Sequence, residues 1–249
     1  MPALSIPAKC YTQLMKYKRV LLKLTGELFG QDEGKTLNFD KIGEIAKCLA
    51  KIKNKYQTEI AVVVGAGNIF RGRNTGDGAD RVTGDYIGMM ATVVNSLALL
   101  AELERNKMEA RLMTLLTIQS VTEPFIRRKA LSYLKEGKIV ILGGGTGNPY
   151  FTTDSAAALK ALELNCEVIL KGSNVDGVYD QDPKINKKAK KFETITFREV
   201  IQRNLGIMDQ TALALCRAEK MPIIVFNIND LNNIEKILNG ERIGTLIHE

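Results

Sequence analysis

Histidine is nearly absent: the 249 residues hold one, His248, next to the last position. Chain ends usually fray, so a Ser-His-Asp triad, a histidine-rich zinc site or a histidine general base is hard to build from it. Chemistry must then fall to carboxylates, lysines, arginines and backbone amides. Cysteine is sparse too. Cys10, Cys48, Cys166 and Cys216 form no C-x-x-C pair and have no neighbouring histidine, which argues against a zinc site and for reduced core thiols. Long apolar runs are also missing. The longest uncharged stretch, Tyr86 to Ala101, carries Thr92, Asn95 and Ser96 and is closed by Glu102. That is shorter than the ~20 apolar residues of a membrane span, and no apolar signal core stands at the start of the chain. The expectation is a soluble cytoplasmic protein.

Hydrophobic residues make up 45% and charged residues 25%, ordinary values that exclude disordered, collagen-like and disulfide-scaffold classes. A chain of this length can bury a core without staples. The net charge of +7 is concentrated in two places, Lys9 to Arg19 and the stretch Lys184, Lys187, Lys188, Lys190 and Lys191. Only Phe192 is an aromatic neighbour of the second stretch, so bases would find few stacking platforms. A solvated lysine loop is expected, not a nucleic-acid groove, and the charge suits anionic small molecules.

Short β-branched runs alternate with helical patterns. Arg19–Leu24, Ile60–Val64, Arg111–Leu115, Lys138–Leu142, Val168–Leu170 and Ile223–Phe226 read as strands. Asp40–Lys53, Asp85–Asn106, Glu123–Lys135, Asp154–Leu164 and Asp209–Lys220 read as helices. This alternation predicts an α/β fold, a mostly parallel sheet covered on both faces. Residues 1–16 read as a loosely attached extension. Residues 17–249 read as one domain, with a change of character near residue 165 dividing it into two lobes.

Glycines cluster where strands end. Leu24 is followed by Thr25-Gly26-Glu27 and Val64 by Gly65-Ala66-Gly67-Asn68. Leu142 is followed by Gly143 through Asn148, and Leu170 by Lys171-Gly172-Ser173-Asn174. In an open α/β sheet the carboxyl ends of the strands form the ligand edge. Glycine admits a close backbone approach, and free amides at turns and helix starts attract phosphate. Four such loops on one edge point to a polyphosphate site. Two familiar motifs fail. Gly30-Gln31-Asp32-Glu33-Gly34-Lys35-Thr36 lacks the four-residue spacing of a P-loop, and Gly65-x-Gly67-x-x-Phe70 lacks the third glycine of a dinucleotide fingerprint.

Lys23 lies within a strand beside Thr25-Gly26, and Lys171 closes another; both read as phosphate neutralisers, with snorkelling to the rim the alternative. Arg71 suits bidentate phosphate binding, whereas Arg73 could equally be surface. Asp154 and Asp85 each open a helix, as caps or as ligands. Asp176, Asp180 and Asp182 read as turn residues that a nucleotide loop would also use. The apolar stripe Ile87, Met90, Ala91, Val94, Leu97, Ala98 and Ala101 reads as core or subunit contact.

Several segments together resemble the bacterial UMP kinases of the amino acid kinase superfamily. They are Lys23-Leu-Thr-Gly-Glu27, Gly65-Ala-Gly-Asn-Ile-Phe-Arg-Gly72 and Thr146-Gly-Asn-Pro-Tyr-Phe-Thr-Thr-Asp-Ser155. Lys171-Gly-Ser-Asn-Val-Asp-Gly-Val-Tyr179, Met208-Asp209, Pro222–Asn227 and Gly244–Ile247 agree. The resemblance runs from about Tyr17 to the C-terminus. It implies a three-layer α/β/α sandwich and transfer of the ATP γ-phosphoryl group to UMP with Mg2+, a step of pyrimidine nucleotide biosynthesis. It also implies a homohexamer, UTP inhibition and, in many members, GTP activation.

By the same resemblance Lys23, Leu24, Thr25, Gly26, Gly67 and Arg71 would hold the ATP phosphates. Ser173, Asn174, Tyr179 and Asp182 would meet the ATP nucleoside. Ala66, Asp85, Thr146, Gly147, Asn148, Pro149, Tyr150, Phe151, Thr152 and Thr153 would bind UMP. Lys23, Lys171, Asp154 and Arg71 would be catalytic, and Gln31, Asp32, Glu33, Gly34, Lys35 and Thr36 would form the segment tied to GTP. No protein metal ligands are expected, the magnesium arriving on ATP. The chain departs from the family pattern at Thr25, Ala66 and Gly172, none of which removes a charge. The rival readings are a kinase of the same fold acting on a carboxylate or carbamate, and a nucleotide-sensing or nucleic-acid-binding regulator.

Overall fold

The structure is a computed structural model that describes residues 17–30, 35–70, 80–183 and 185–249. The expected extension 1–16, Gln31 to Gly34, Arg71, Arg73 and Lys184 lie outside the described residues.

The chain runs β1 (Arg19–Leu24), α1 (Glu27–Gly30), α2 (Phe39–Tyr56), β2 (Glu59–Val64), α3 (Arg81–Arg105), β3 (Ala110–Thr114), β4 (Glu123–Pro124) and α4 (Arg127–Lys135). It continues with β5 (Ile139–Gly143), α5 (Thr153–Glu163), β6 (Val168–Ser173), β7 (Thr194–Thr196), α6 (Phe197–Gln202), α7 (Gln210–Ala218), β8 (Ile223–Asn227), α8 (Asn232–Leu238) and β9 (Thr245–His248). The nine strands form one sheet, ordered β4-β3-β5-β2-β1-β6-β8-β9-β7. Every pairing is parallel except β8 with β9. The first strand is therefore central, flanked by β2 and β6, and the sheet is continuous across residue 165.

Helices α2, α3 and α8 cover one face, where Leu22, Leu24, Val62, Ile42, Leu99 and Ile234 share a core. Helices α4 to α7 cover the other, where Leu21, Val63, Ala130, Ala157, Val200 and Leu213 share a second core. All six residues of β2 are buried, as two-sided cover requires. This is the three-layer sandwich that the resemblance implies, built on the mostly parallel sheet that the alternation of strands and helices predicts.

All six expected strands form, Arg19–Leu24 with the expected bounds and the other five with ends shifted by a residue or extended. Three further strands, β4, β7 and β9, are short or at the edge of the sheet. The expected helix from Glu123 begins only at Arg127. Pro124 lacks an amide hydrogen and disfavours helical backbone at the residue before it, so Glu123–Pro124 pairs with β3 instead. Asp85 does not open its helix: Asp80 is the cap, accepting from the amides of Val82 and Thr83.

Helix α3 has the length and apolarity of a membrane span, but 56% of that window is buried inside the protein. Its inner face sets Asn95, Ser96 and Glu102 against the fold, and its outer face exposes Tyr86, Ile87, Met90, Val94 and Leu97. The Lys187–Lys191 stretch is solvated, with Lys187, Lys188, Lys190 and Lys191 exposed and Lys191 paired to Asp176 at 2.9 Å.

Helix α8 is fastened to α2 by Glu235, which accepts from Lys51 at 2.7 Å, Lys55 at 2.8 Å and Tyr56 at 3.3 Å. The hydrogen bonds from Lys51 and Lys55 hold its carboxyl at about 2, below the ordinary range. A depressed carboxyl contributes stability above its unfolded value and loses it as pH falls through the folded one. Glu235→Gln should therefore lower Tm by about 1–3 °C at neutral pH, since exposed pairs contribute little. Melts repeated down to about pH 2 should show the difference vanish.

Candidate active site

The four strands that end in glycine loops, β5, β2, β1 and β6, are consecutive neighbours in the sheet and mutually parallel. Their carboxyl ends therefore open on one edge. Register aligns Lys23 of β1 with Lys171 of β6. Lys171 is an interior strand residue, since β6 continues to Ser173 beyond the expected end at Leu170. Both lysines share the strand face of Leu21 and Ile169, toward α5 and α7. Neighbouring strands lie ~4.8 Å apart, and two ammonium groups at that spacing repel by ~3 kcal/mol at an effective dielectric of ~20.

Asp154 resolves the conflict. Its carboxylate takes Lys171 Nζ at 2.7 and 2.8 Å and Lys23 Nζ at 3.0 Å. The three side chains are only 12% (Lys23), 9% (Lys171) and 17% (Asp154) exposed, so the charges are poorly hydrated. Burial pushes the Lys171 ammonium down to about 8, with Lys23 adding to the shift and Asp154 opposing it. Burial would raise the Asp154 carboxyl, but Lys23 and Lys171 outweigh it and hold the group below its ordinary range. Asp154 is thus ionised and is not the cap of α5. Thr152 is the cap, accepting from the amides of Asp154 and Ser155, which leaves Asp154 in the first turn facing the lysines. A carboxylate there also complements the positive end of the helix.

Asp209, the cap of α7, fixes that turn from behind. It accepts from the hydroxyls of Thr152 and Ser155, the latter at 3.0 Å, and from the amide of Ala212 at 3.0 Å. The sequence marked Asp209 as a helix start, but its grip on α5 arises from the packing of two helices distant in sequence. Thr92 is another residue that sequence reasoning left without a role, its hydroxyl accepting from the amide of Gly144 at 2.8 Å.

The loops touch through their backbones. A Cβ on Gly26 would stand 2.6 Å from the Gly67 nitrogen and 2.7 Å from Asn68 Oδ1, so only glycine lets the β1 and β2 loops meet. Ala66, buried beside them, accepts at its carbonyl from the amides of Ile69 and Phe70. In the β5 loop Thr146 Oγ1 accepts from the Asn148 amide at 3.2 Å, and Gly147 lies beside Leu115. Asp85 reaches this loop from α3, accepting from the Tyr150 amide at 2.7 Å while Arg81 binds the same oxygen at 2.8 Å. Tyr150 and Phe151 are left exposed, and Tyr150 has a positive φ of 71°. The residues from Thr146 to Thr153 thus lead from Asp85 directly to Asp154.

On the other flank, Ser173 ends β6, and Asn174 donates to Glu27 at 2.7 Å, joining the β6 and β1 loops. Tyr179 donates to Asp176 at 2.6 Å and pairs with Lys191 in an isolated bridge. Asp180 accepts from the Lys190 amide at 2.7 Å, and the Asp182 carbonyl accepts from the Ile185 and Asn186 amides. The aspartates fold this loop as turn residues. Lys35 and Thr36, the described end of the Gln31–Thr36 segment, approach Gly30 and Asn68.

Residues 18–227 match the model of the amino acid kinase family. The chain belongs to this family. Among solved structures, the UMP kinase of Bacillus anthracis is 40% identical with a TM-score of 0.90, over 94% of this chain and 97% of that one. The UMP kinase of Ureaplasma parvum is 36% identical with a TM-score of 0.88, over 94% and 100%. The uridylate kinase of Archaeoglobus fulgidus is 28% identical with a TM-score of 0.72, over 92% and 99%.

Removing the shared counter-charge tests the electrostatics. Asp154→Asn should cost about 3 kcal/mol near neutral pH, the usual scale for breaking a buried ion pair. Loss of the carboxylate disfavours protonated Lys171 further. The deficit should therefore be largest where Lys171 is charged and narrow as pH rises through about 8, where Lys171 sheds its proton. Urea unfolding near neutral pH and at about pH 9.5 reads this directly, and a deficit independent of pH would contradict it.

Proposed function

We propose that this chain is a UMP kinase, transferring the γ-phosphoryl group of ATP to UMP to give UDP and ADP. The observation that carries the reading is the Lys23–Asp154–Lys171 cluster at the carboxyl edge of four glycine-ended strands. The likeness to UMP kinases at 40% and 36% identity supports the choice of acceptor.

A phosphate acceptor is already largely ionised at neutral pH, so no dedicated base is needed. Transfer then reduces to in-line positioning and cancellation of negative charge. Lys23 and Lys171 supply that charge from fixed strand positions, and the amides around Gly26 and Gly67 supply oriented dipoles beside them. Asp154 favours the charged form of Lys171 and holds both lysines aimed. Ala66, Asp85 and Thr146–Thr153 would form the UMP side, with Asp85 holding the loop as well. Ser173, Asn174, Tyr179 and Asp182 would form the side of the ATP nucleoside. Arg71, outside the described residues, keeps its proposed place on the phosphates. In this reading the halves before and after residue 165 act as acceptor and donor lobes.

The residues fit a magnesium ion carried on the ATP phosphates. Asp154 brings a carboxylate to the phosphate edge where that ion would arrive. Bound there, the metal would neutralise charge on the transferred group. Self-association as a hexamer, a cytoplasmic location, inhibition by UTP and a GTP response linked to Gln31–Thr36 belong to the same proposal. The exposed stripe on α3 supports self-association.

The test is ADP release from ATP and Mg2+ with UMP, CMP, dUMP, carbamate, acetylglutamate and aspartate as acceptors. Turnover confined to UMP is expected, and turnover with an amino acid or carbamate would overturn the acceptor assignment. Lys23→Ala should lower kcat by about 10²–10³ with the fold intact. In the wild type, kcat/KM for ATP should fall above pH about 8, as Lys171 in the free enzyme loses its proton.

A further inference from the structure

Asn95 is fully buried in the middle of α3, a polar side chain within an apolar helix. Its Nδ2 donates to the Gly65 carbonyl at 2.7 Å and to Asn68 Oδ1 at 2.8 Å, while its Oδ1 accepts from Asn68 Nδ2 at 3.0 Å. Asn68 Nδ2 donates in addition to the Thr36 carbonyl at 2.7 Å. Each amide group thus has two N–H donors and two acceptors to serve, and the directions are mutually fixed. Turning the Asn68 amide over would set its oxygen against the Thr36 carbonyl. Turning that of Asn95 would set its oxygen against the Gly65 carbonyl.

The consequence lies one step further along. Asn68 Oδ1 is among the atoms that an added Cβ on Gly26 would meet, at 2.7 Å, and Gly30 faces the Asn68 Cβ in the same way at 3.0 Å. The Asn68 side chain is therefore a floor on which the β1 loop rests, and Asn95 sets the height of that floor. The same pair anchors the β2 loop at Gly65 and the segment before α2 at Thr36. We propose that Asn95 is a positioning residue for phosphoryl transfer: through the amide pair with Asn68 it holds the Thr25–Glu27 and Gly65–Asn68 loops in register with each other. Asn95 touches no reacting atom in this scheme. It acts by keeping apart, at one fixed distance, the amides that flank donor and acceptor phosphates. A displacement of about 1 Å at such a site can cost about 100-fold in rate. The kinetic consequence rests on the UMP kinase reading; the positional claim does not.

Asn95→Leu is close in size and favours the helix more strongly, but removes every polar contact. Two readouts are needed. In steady-state kinetics kcat should fall about 10- to 100-fold, with KM for ATP and UMP changed by less than about threefold. Hydrogen exchange should show the amides of residues 65–68 released by about tenfold or more, with the interiors of β1 and β2 still protected. Asn68→Ala, which leaves the bond from Asn95 to Gly65 intact, should move both readouts in the same direction by less. The double variant should be no slower than Asn95→Leu alone, because both changes break one pair. If Asn95→Leu does not fold, Asn68→Ala carries the same two readouts.

A kcat within twofold of wild type and unchanged loop exchange, even with a lowered Tm, would overturn the proposal and leave Asn95 as a core contact only. Wild-type protein without UMP turnover would instead remove the functional reading, and the exchange data would still decide the positional claim.

Discussion

Two like charges placed side by side on adjacent central strands set the terms for this structure. The register of β1 and β6 leaves Lys23 and Lys171 no freedom to separate. Burial beneath α5 and α7 leaves them little water. The fold can tolerate this only because the first turn of α5 delivers Asp154 between them. That turn is in turn held by Thr152 and, from α7, by Asp209. A cluster with two ammoniums and one carboxylate keeps an uncompensated positive charge on the ligand edge, and a polyphosphate is the complement that would relieve it.

The surrounding loops extend the same logic with dipoles instead of charges. Gly26 approaches the Gly67 nitrogen so closely that a side chain on it is excluded and the two loops meet through backbone groups. Such groups need no reorganisation when charge shifts during transfer, which is why their placement matters more than their number. The loops are joined in pairs: Asn174 with Glu27, Asp85 with the Tyr150 amide, and Asn68 with Asn95 and Thr36. Loop ends that would move independently on a bare sheet are thus coupled to helices on one face and to each other.

Much of this was legible beforehand where a local physical rule applies. Two-sided burial writes itself as β-branched runs, so the six central strands could be read directly. Glycines after those runs located the ligand edge, and a lysine inside a strand was conspicuous because such a charge needs a partner. Local rules failed where a distant contact decides. Thr194–Thr196 and Thr245–His248 are strands because they pair with each other and the second pairs with β8, and neither carries a strong run of its own. Asp154 and Asp85 read equally as caps or as ligands, because aspartate before an apolar stretch is often a cap. In both places a neighbouring residue, Thr152 or Asp80, took the cap and freed the carboxylate for a tertiary partner.

Hydrophobic spacing, turn residues and the positions of charge are properties of the chain read a few residues at a time. They determined the layers of the fold, the edge that carries the loops and the residues able to neutralise phosphate. The tertiary structure alone decided strand order, the alignment of Lys23 with Lys171, the sharing of Asp154 between them, and the closure of Asn95 onto Asn68. Each of these joins residues far apart in sequence through register and packing, and a pairing between distant segments leaves no periodic trace in either one.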